Sequence, residues 1–276
     1  MDAEELQEGI YVLRTKEWGS QGDSNFSLIV GNTGAVLIDN DIRRVEEIQR
    51  LIGTITDKPI RFVINTHGDF DHVSANKLWS KQGAIILSSL SCRDYMDRTG
   101  RKEFQERTIS YQSLKDRYQI DDIGLPDITV KETLTLHLDG KRIFVKFMGH
   151  GHSTCDTIVY LPEEEILVAG DLLFNGCHPV IRNSNIAEWL KILERLMVMP
   201  ISSTVPGHGE ITRGIGNIEH MHSYLLALRI KIADLVARKI PLEDAEQYLE
   251  LREYSHLTMS ERIPGILEKM YVDHAI

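Results

Sequence analysis

The sequence predicts an α/β fold organised as one domain. Two strand-rich blocks each lead into helical segments, and no low-complexity linker divides the 276 residues. A chain of this length can bury a full hydrophobic core. The 42% hydrophobic and 26% charged residues are typical of a globular protein. We therefore expect a single domain over residues 1–276 that ends in helices from about residue 214.

The first block alternates short strands with helices. Three β-type runs open it, separated by Gly, Asn and Ser turns: 10–13, 26–30 and 35–39. Residues 42–52 have apolar side chains at helical spacing, which predicts a helix. Residues 60–65 are then predicted to form a buried strand, and residues 73–83 to form a helix that a glycine ends.

The second block is richer in strands and leads into the C-terminal helices. Its predicted strands are 128–138, 142–148, 157–161 and 165–170. Residues 214–276 predict two or three helices, whose apolar stripe we interpret as core packing. This stripe consists of Leu225, Leu228, Ile232 and Leu235. The polar segment 90–120 is predicted to be helical, and we interpret it as a solvated connector rather than a cap over a substrate site.

Charge and composition exclude several classes of protein. The net charge of −10 argues against a nucleic-acid-binding or anionic membrane-binding surface. No apolar run approaches the roughly 18–20 residues that a membrane span needs. The acidic N-terminal segment lacks the features of a signal peptide, and three scattered cysteines do not form a disulfide framework. We expect a cytoplasmic protein that acts on a small molecule, with a homo-oligomer as an open alternative.

Histidine and aspartate residues cluster at the ends of four predicted strands. VINTHGDFDH follows the strand at 60–65, and MGHGHSTCD follows the strand at 142–148. LVAGD ends at Asp171, and STVPGHGE contains His208. Loops at strand ends hold metal ligands stiffly, so this recurrence predicts a metal centre. Imidazole and carboxylate ligands suit zinc, manganese or iron.

The spacing in HGDFDH predicts that one loop serves two metal positions. In an extended loop, side chains alternate, so His67, Asp69 and Asp71 would point one way and His72 the other. No G-x-S-x-G segment occurs, which argues against a serine hydrolase.

These motifs together resemble the metallo-β-lactamase superfamily, whose signature is H-x-H-x-D-H followed by a histidine, an aspartate and a last histidine. LIDN (37–40) and the long segment 151–174 are also similar to that family. The resemblance implies an αβ/βα four-layer sandwich and a metal-dependent hydrolase with two divalent cations, zinc first and iron or manganese as alternatives. It implies these ligands: His67, Asp69 and His152 for one metal, Asp71, His72 and His208 for the other, and Asp171 between them.

The departure from the signature is Asp69, which stands where most members have histidine. Three carboxylates and a hydroxide then carry four negative charges against the four positive charges of two divalent cations, whereas histidine there would leave one positive charge. A neutral centre acidifies water less and attracts anionic substrates less strongly. We predict that Asp69 binds a metal or a metal-bound water; the alternative is that it caps its loop.

Three histidine and aspartate assignments concern the reaction itself. Asp71 and His178 are the predicted catalytic residues, and His150 competes with His152 as a ligand and could also assist as a proton donor. We prefer His152 because GHS followed by Asp156 resembles the family segment.

The predicted reaction is cleavage of a small ester, lactone, thioester or amide by a metal-bound hydroxide. β-Lactamase activity is not expected, because this chain has Asp171 at the position where lactamases of this superfamily have a cysteine ligand. Two alternatives stay open: a di-iron redox or oxygenase-type relative, which Asp69 suggests, and a degenerate metal-binding relative without catalysis.

Overall fold

Two β-sheets form the centre of the fold in the computed structural model, which describes residues 1–15 and 24–274. The first sheet has this strand order: β1 (Asp2–Gln7), β2 (Ile10–Arg14), β3 (Phe26–Val30), β4 (Ala35–Ile38), β5 (Ile60–Ile64), β6 (Ile85–Ser89) and β7 (Ile128–Val130). Strands β1 to β4 pair antiparallel, and β4 to β7 pair parallel.

The second sheet contains the remaining described strands. They are β8 (Thr133–Leu138), β9 (Lys141–Gly149), β10 (Asp156–Leu161), β11 (Ile166–Phe174), β12 (Ser203–His208) and β13 (Thr212–Arg213). All neighbours pair antiparallel except β11 and β12, which are parallel. Because β11 and β12 run in the same direction and Gly170 pairs with Pro206, Asp171 within β11 lies close to His208 at the end of β12.

Helices cover the outer face of each sheet. Within the described residues they are α1 (Val45–Ile55), α2 (Phe70–Val73), α3 (Asn76–Lys81), α4 (Leu90–Tyr95), α5 (Arg101–Arg107), α6 (Gln112–Tyr118), α7 (Ile186–Met197), α8 (Gly216–Ala237), α9 (Leu242–Tyr248) and α10 (Ile263–His274). Short π- or 3₁₀-helical turns span Met96–Gly100, Thr108–Tyr111, Arg252–Tyr254 and Ser260–Arg262.

Side-chain alternation along the strands divides the core into three layers of apolar contacts. In β4, Ala35 and Leu37 pack against the helices of the first sheet, whereas Val36 and Ile38 face the second sheet. Helices α7, α8 and α10 pack on the outer face of the second sheet, and the predicted stripe on α8 is buried there. The predicted αβ/βα four-layer arrangement is confirmed.

Two predicted segments differ from the observed elements. Residues 128–138 form two strands in different sheets, since the chain leaves the first sheet after Val130 and enters the second at Thr133. The helix expected at 73–83 is shorter, α3 over Asn76–Lys81, because α2 ends at Val73 and Ser74 and Ala75 turn the chain before α3 begins. Strands β1 and β6 were not predicted, because the first is largely polar and the second follows a helix directly.

None of the described helices is both long enough and apolar enough to cross a lipid bilayer.

Candidate metal centre

Six predicted ligands form two clusters at the carboxyl ends of the strands. The first ligand group contains His67, His152 and Asp171, and the second ligand group contains Asp71, His72 and His208. Within each group, one potential ligand atom per residue lies within 4.8 Å of the others. The structure thus brings together side chains that are up to 141 residues apart in sequence (His67 to His208).

Asp171 lies between the two groups. Its carboxylate oxygens are 3.8 Å from His67 Nε2 and 3.6 Å from His152 Nε2. They are also 3.3 Å from His72 Nε2 and 3.4 Å from His208 Nε2. One carboxylate therefore reaches ligands of both groups, as the resemblance implies for a bridging residue.

The residues present fit bound cations, because several inward-facing polar atoms are buried without a partner. His67 Nε2, His72 Nε2 and Asp171 Oδ1 are buried and accept or donate no hydrogen bond among the described residues. Burying such atoms without a partner is costly, and a cation coordinated by them would remove that cost. The donor set of imidazole nitrogen and carboxylate oxygen suits zinc, iron or manganese.

Charge in the cluster favours ionised carboxylates. Burial tends to raise the pKa of Asp171, but the neighbouring imidazoles of His208 and His72 hold it well below its usual range. Burial tends to lower the pKa of His152, whereas the nearby carboxylates of Asp69 and Asp171 raise it to about 9. A cation entering the first ligand group would replace the proton that His152 carries near neutral pH.

Asp39, at the turn after β4, orients two of the imidazoles. Its Oδ2 lies 2.9 Å from His72 Nδ1 and accepts a hydrogen bond of 2.7 Å from Thr66 Oγ1. Thr66 Oγ1 in turn lies 3.2 Å from His67 Nδ1. These contacts engage the Nδ1 atoms and leave the Nε2 atoms of both rings facing the cluster.

We expect Asp39→Asn to weaken metal binding about 10- to 100-fold, the range for partners that orient metal-ligating histidines. The amide keeps the size of the side chain but cannot accept both hydrogen bonds at one oxygen with the strength of a carboxylate. Competition with a chromogenic chelator measures the affinity. Unchanged affinity in the folded variant would show that Asp39 does not orient the rings.

The loop from His67 to His72 is not extended throughout, as the spacing argument assumed. It is extended at Asp69 and then turns into the short helix α2, which contains Asp71 and His72. Both of these residues therefore join the second ligand group, and the expectation that Asp71 points with His67 is wrong. Ser24 Oγ donates a hydrogen bond of 2.8 Å to Asp71 Oδ2.

Asp69 lies against the first ligand group and beside an arginine. Its Oδ2 is 3.7 Å from His152 Nε2 and 3.9 Å from His67 Nε2. Although Asp69 is the residue before α2, its side chain makes no capping hydrogen bond, so the loop-cap alternative is wrong. Arg182, which the sequence analysis missed, places its guanidinium 3.9 Å from Asp69 Oδ2. The positive charge of Arg182 partly offsets the negative charge of the Asp69 carboxylate.

Gly207 allows Asp171 to approach β12. A Cβ atom on Gly207 would lie 1.9 Å from Asp171 Oδ1, closer than any contact tolerates. We expect Gly207→Ala to displace this carboxylate and to lower metal content, which elemental analysis of the purified variant measures. As a control, Gly53→Ala on α1 meets no atom within 4 Å and should leave metal content unchanged. Full metal occupancy in Gly207→Ala would contradict the position assigned to Asp171.

His150 and His178 make contacts other than those of the clustered ligands. His150 is exposed, and its Nε2 lies 2.7 Å from the carbonyl oxygen of Asn183. Asp156 accepts hydrogen bonds from Gly151 N and Ser153 N, which shapes the loop that carries His152 towards the cluster.

His178 is buried with its Nδ1 2.6 Å from Tyr224 Oη. Its main chain accepts a hydrogen bond from Arg262 and donates one to Thr258. These contacts give His178 a role in holding the segment 258–262, and its catalytic role stays a prediction.

A cavity of about 670 Å³ opens beside the cluster. Asp69, Asp71, Asp171 and His208 line its inner side. Part of the segment 90–120 forms one wall, through Glu106, Arg107, Ser110 and Tyr111. Glu106, Arg107 and Ser110 are exposed, as expected for a solvated connector, and they also form part of the cavity wall.

The sequence model of the metallo-β-lactamase superfamily matches residues 19–208. The chain belongs to this superfamily, in agreement with the four-layer fold and the clustered His and Asp side chains. Membership supports metal-dependent hydrolysis in general. Residues 209–276 lie beyond the matched region, although Met259, Glu261 and Arg262 from it line the cavity.

Several characterised proteins are similar to this chain. The metallo-β-lactamase type 2 of Bacteroides fragilis is 27% identical over 214 residues, which cover 74% of this chain and 75% of that protein. The metallo-β-lactamase IND-1 of Chryseobacterium indologenes is 21% identical over 73% of this chain and 78% of its own. The 2,4-dinitroanisole O-demethylase subunit alpha of a Nocardioides species is 23% identical over 65% of this chain and 51% of its own.

Solved structures show the same fold. A metallo-β-lactamase from Pontibacter korlensis superposes with a TM-score of 0.66 at 21% identity, covering 82% of this chain and 98% of that one. The DIM-1 metallo-β-lactamase gives a TM-score of 0.62 at 20% identity, over 81% and 96% of the two chains.

Proposed function

We propose that the protein is a hydrolase that uses two divalent cations, zinc first, to cleave a small ester, lactone, thioester or amide. The observation that carries this proposal is the position of Asp171, whose carboxylate lies 3.3–3.8 Å from the Nε2 atoms of four histidines. Two cations held by the two ligand groups would supply an activated hydroxide and a Lewis acid at the cavity. Such a centre needs no serine or cysteine nucleophile.

The protein's own residues hold and orient the reacting groups. Asp39 and Thr66 orient the imidazoles, and Ser24 fixes Asp71, the residue we assign to catalysis in the second ligand group. The cavity is of the size that small-molecule sites have, so we propose a small-molecule substrate rather than a nucleic acid or membrane. A cytoplasmic location is part of the same proposal and rests on composition alone, whereas a homo-oligomer stays an open alternative.

The competing proposal is di-iron redox chemistry, which the Asp69 carboxylate favours because carboxylate oxygen is a harder donor than imidazole. Hydrolysis is preferred because the chain has three cysteines, fewer than the four thiolates that commonly hold an iron–sulfur cluster. The three cysteines, Cys92, Cys155 and Cys177, are buried and separate from the ligand groups.

We expect the protein to hydrolyse lactones, thioesters or aryl esters in a metal-dependent manner. Chelation should abolish turnover, and readdition of zinc, manganese or iron should restore it. Removing the cations should also lower the free energy of unfolding, by about 2.7 kcal/mol per site when the free cation is at 100 times its Kd. Turnover and thermal unfolding of the same samples measure both effects.

Asp71→Ala is the variant that tests the catalytic assignment. It removes one ligand of the second group and should lose most of the turnover, whereas Asp57→Ala, at an exposed position, should not. Bound iron together with oxygen consumption, and no metal-dependent hydrolysis of any of these substrates, would replace the hydrolase proposal by the redox one.

A further inference from the structure

Two arginines line the cavity without strong ionic partners, Arg182 and Arg262. We propose that they bind a carboxylate group on the acyl part of the substrate, so that the preferred substrate is an ester or thioester of a short dicarboxylic acid. This inference rests on the hydrolase proposed above and specifies its substrate class. The neutral charge of the metal centre by itself predicts weak attraction of anionic substrates. The two arginines would supply the positive charge that the centre lacks.

Arg262 has a positive charge that no described carboxylate balances. One guanidinium nitrogen donates a hydrogen bond of 2.6 Å to the carbonyl oxygen of His178 and lies 4.0 Å from Cys177 Sγ. Among the described residues, Arg262 forms no ion pair with an Asp or Glu within 4.0 Å. The side chain is half-buried and lines the cavity, so water screens its charge only in part and a ligand carboxylate can reach it.

Arg182 is only loosely paired. Its Nη2 atom lies 3.5 Å from Glu103 Oε1 and 3.9 Å from Asp69 Oδ2, and both distances are longer than a hydrogen bond. About half of the side chain is exposed (52%), so its donors are accessible from the cavity. The other two arginines that line the cavity already have close partners, since Arg43 binds Asp41 and Arg107 lies 2.7 Å from Glu103.

Both arginines belong to one hydrogen-bonded wall. Thr258 N donates to Gly176 O at 2.9 Å, and His178 N donates to Thr258 O at 3.0 Å. The segment that carries Arg262 is therefore fixed against the loop that leads to Arg182. A site fixed in this way binds a carboxylate without a large ordering cost, and guanidinium groups match carboxylate geometry.

The position of Arg182 limits the length of the substrate. Its guanidinium is next to Asp69, which lies against the first ligand group, so the bound carboxylate is close to the reacting carbonyl. Apolar side chains of Val180 and Met259 also line the cavity and suit a short methylene chain. Glu261 lines it as well, which favours a singly charged carboxylate over a doubly charged phosphate.

A matched pair of esters tests this site. The mono-p-nitrophenyl ester of glutaric acid carries the carboxylate, and p-nitrophenyl valerate has a methyl group in its place. We expect the metal-loaded protein to prefer the anionic ester in kcat/KM. Arg262→Gln should reduce that preference about 10- to 100-fold, mainly through KM, which is the range for a lost hydrogen bond to a charged group. Arg262→Lys should retain part of the preference.

Arg238→Gln is the control, because Arg238 follows the last residue of α8, is exposed and pairs with Asp234, so its loss should not affect the ratio. Thermal unfolding checks that each variant is folded. Equal kcat/KM for the two esters, or a preference that Arg262→Gln leaves unchanged, would overturn the carboxylate site while leaving the hydrolase proposal intact.

Direct binding separates this proposal from the hydrolase proposal. Calorimetric titration of the metal-loaded protein with glutarate should give at least about tenfold weaker binding for Arg262→Gln than for the wild type. A carboxylate held only by the metals would bind both proteins equally, which would refute the arginine site. Hydrolysis of neither ester, with this difference in binding preserved, would refute the hydrolase alone.

Discussion

Replacing Asp171 by asparagine is expected to reduce bound metal from two ions per chain to one or none. Asn keeps the volume of the side chain but removes the negative charge that lies between the four histidine Nε2 atoms. Turnover should fall about a thousandfold or more, since metal ions contribute several kcal/mol of transition-state stabilisation. Elemental analysis and steady-state rates measure the two effects on one preparation.

The matched control is Asp139→Asn. Asp139 is an exposed aspartate whose carboxylate accepts hydrogen bonds from Thr33, and it belongs to neither ligand group. This variant should keep full metal content and turnover. If Asp171→Asn behaves in the same way, Asp171 does not bridge two metals and the two ligand groups do not act as one centre.

The second large effect is expected at Asp69. Asp69→Ala should weaken metal binding about 10- to 100-fold or more, because the first ligand group loses an adjacent carboxylate. Asp69→His should retain metal and shift the preference towards zinc, because imidazole is a softer donor than carboxylate oxygen. Metal content after growth in medium with equal zinc, iron and manganese measures the preference.

Asp69→Asn distinguishes charge from shape at this position. If the carboxylate binds a metal or its water, Asn should behave like Ala, because the amide lacks the negative charge. The neighbouring Arg182 should then lie beside an uncompensated cationic centre, which weakens metal binding further. Metal content and preference equal to the wild type in all three variants would show that Asp69 has no role in the centre.

The ligand set could be predicted from the sequence because each ligand lies near the carboxyl end of a strand or in the segment that follows it. β5 belongs to the first sheet and β9, β11 and β12 to the second, and motifs that are far apart in sequence converge where the two packed sheets bring these strand ends together. His152 could be distinguished from His150 by the Asp156 carboxylate, which organises the same loop. The order of ligands within HGDFDH was less predictable, because the turn into α2 depends on packing rather than on spacing.

The substrate-facing residues could not be predicted in this way. Arg182 and Arg262 follow no motif, and they are joined by hydrogen bonds between segments about 80 residues apart. The spacing of apolar residues also does not determine which sheet a strand joins. Residues 128–138 were therefore expected to form one strand, although they form two strands in different sheets. Tertiary contacts between distant segments, which leave no local pattern, decide these features.

Anomalous diffraction from crystals of the protein purified without added metal tests the central claim most directly. We expect two peaks roughly 3.5–4 Å apart, one beside each ligand group, with Asp171 between them. Absorption-edge scans on the same crystals identify the element at each peak. No anomalous peak beside either ligand group in crystals of active protein would contradict the account.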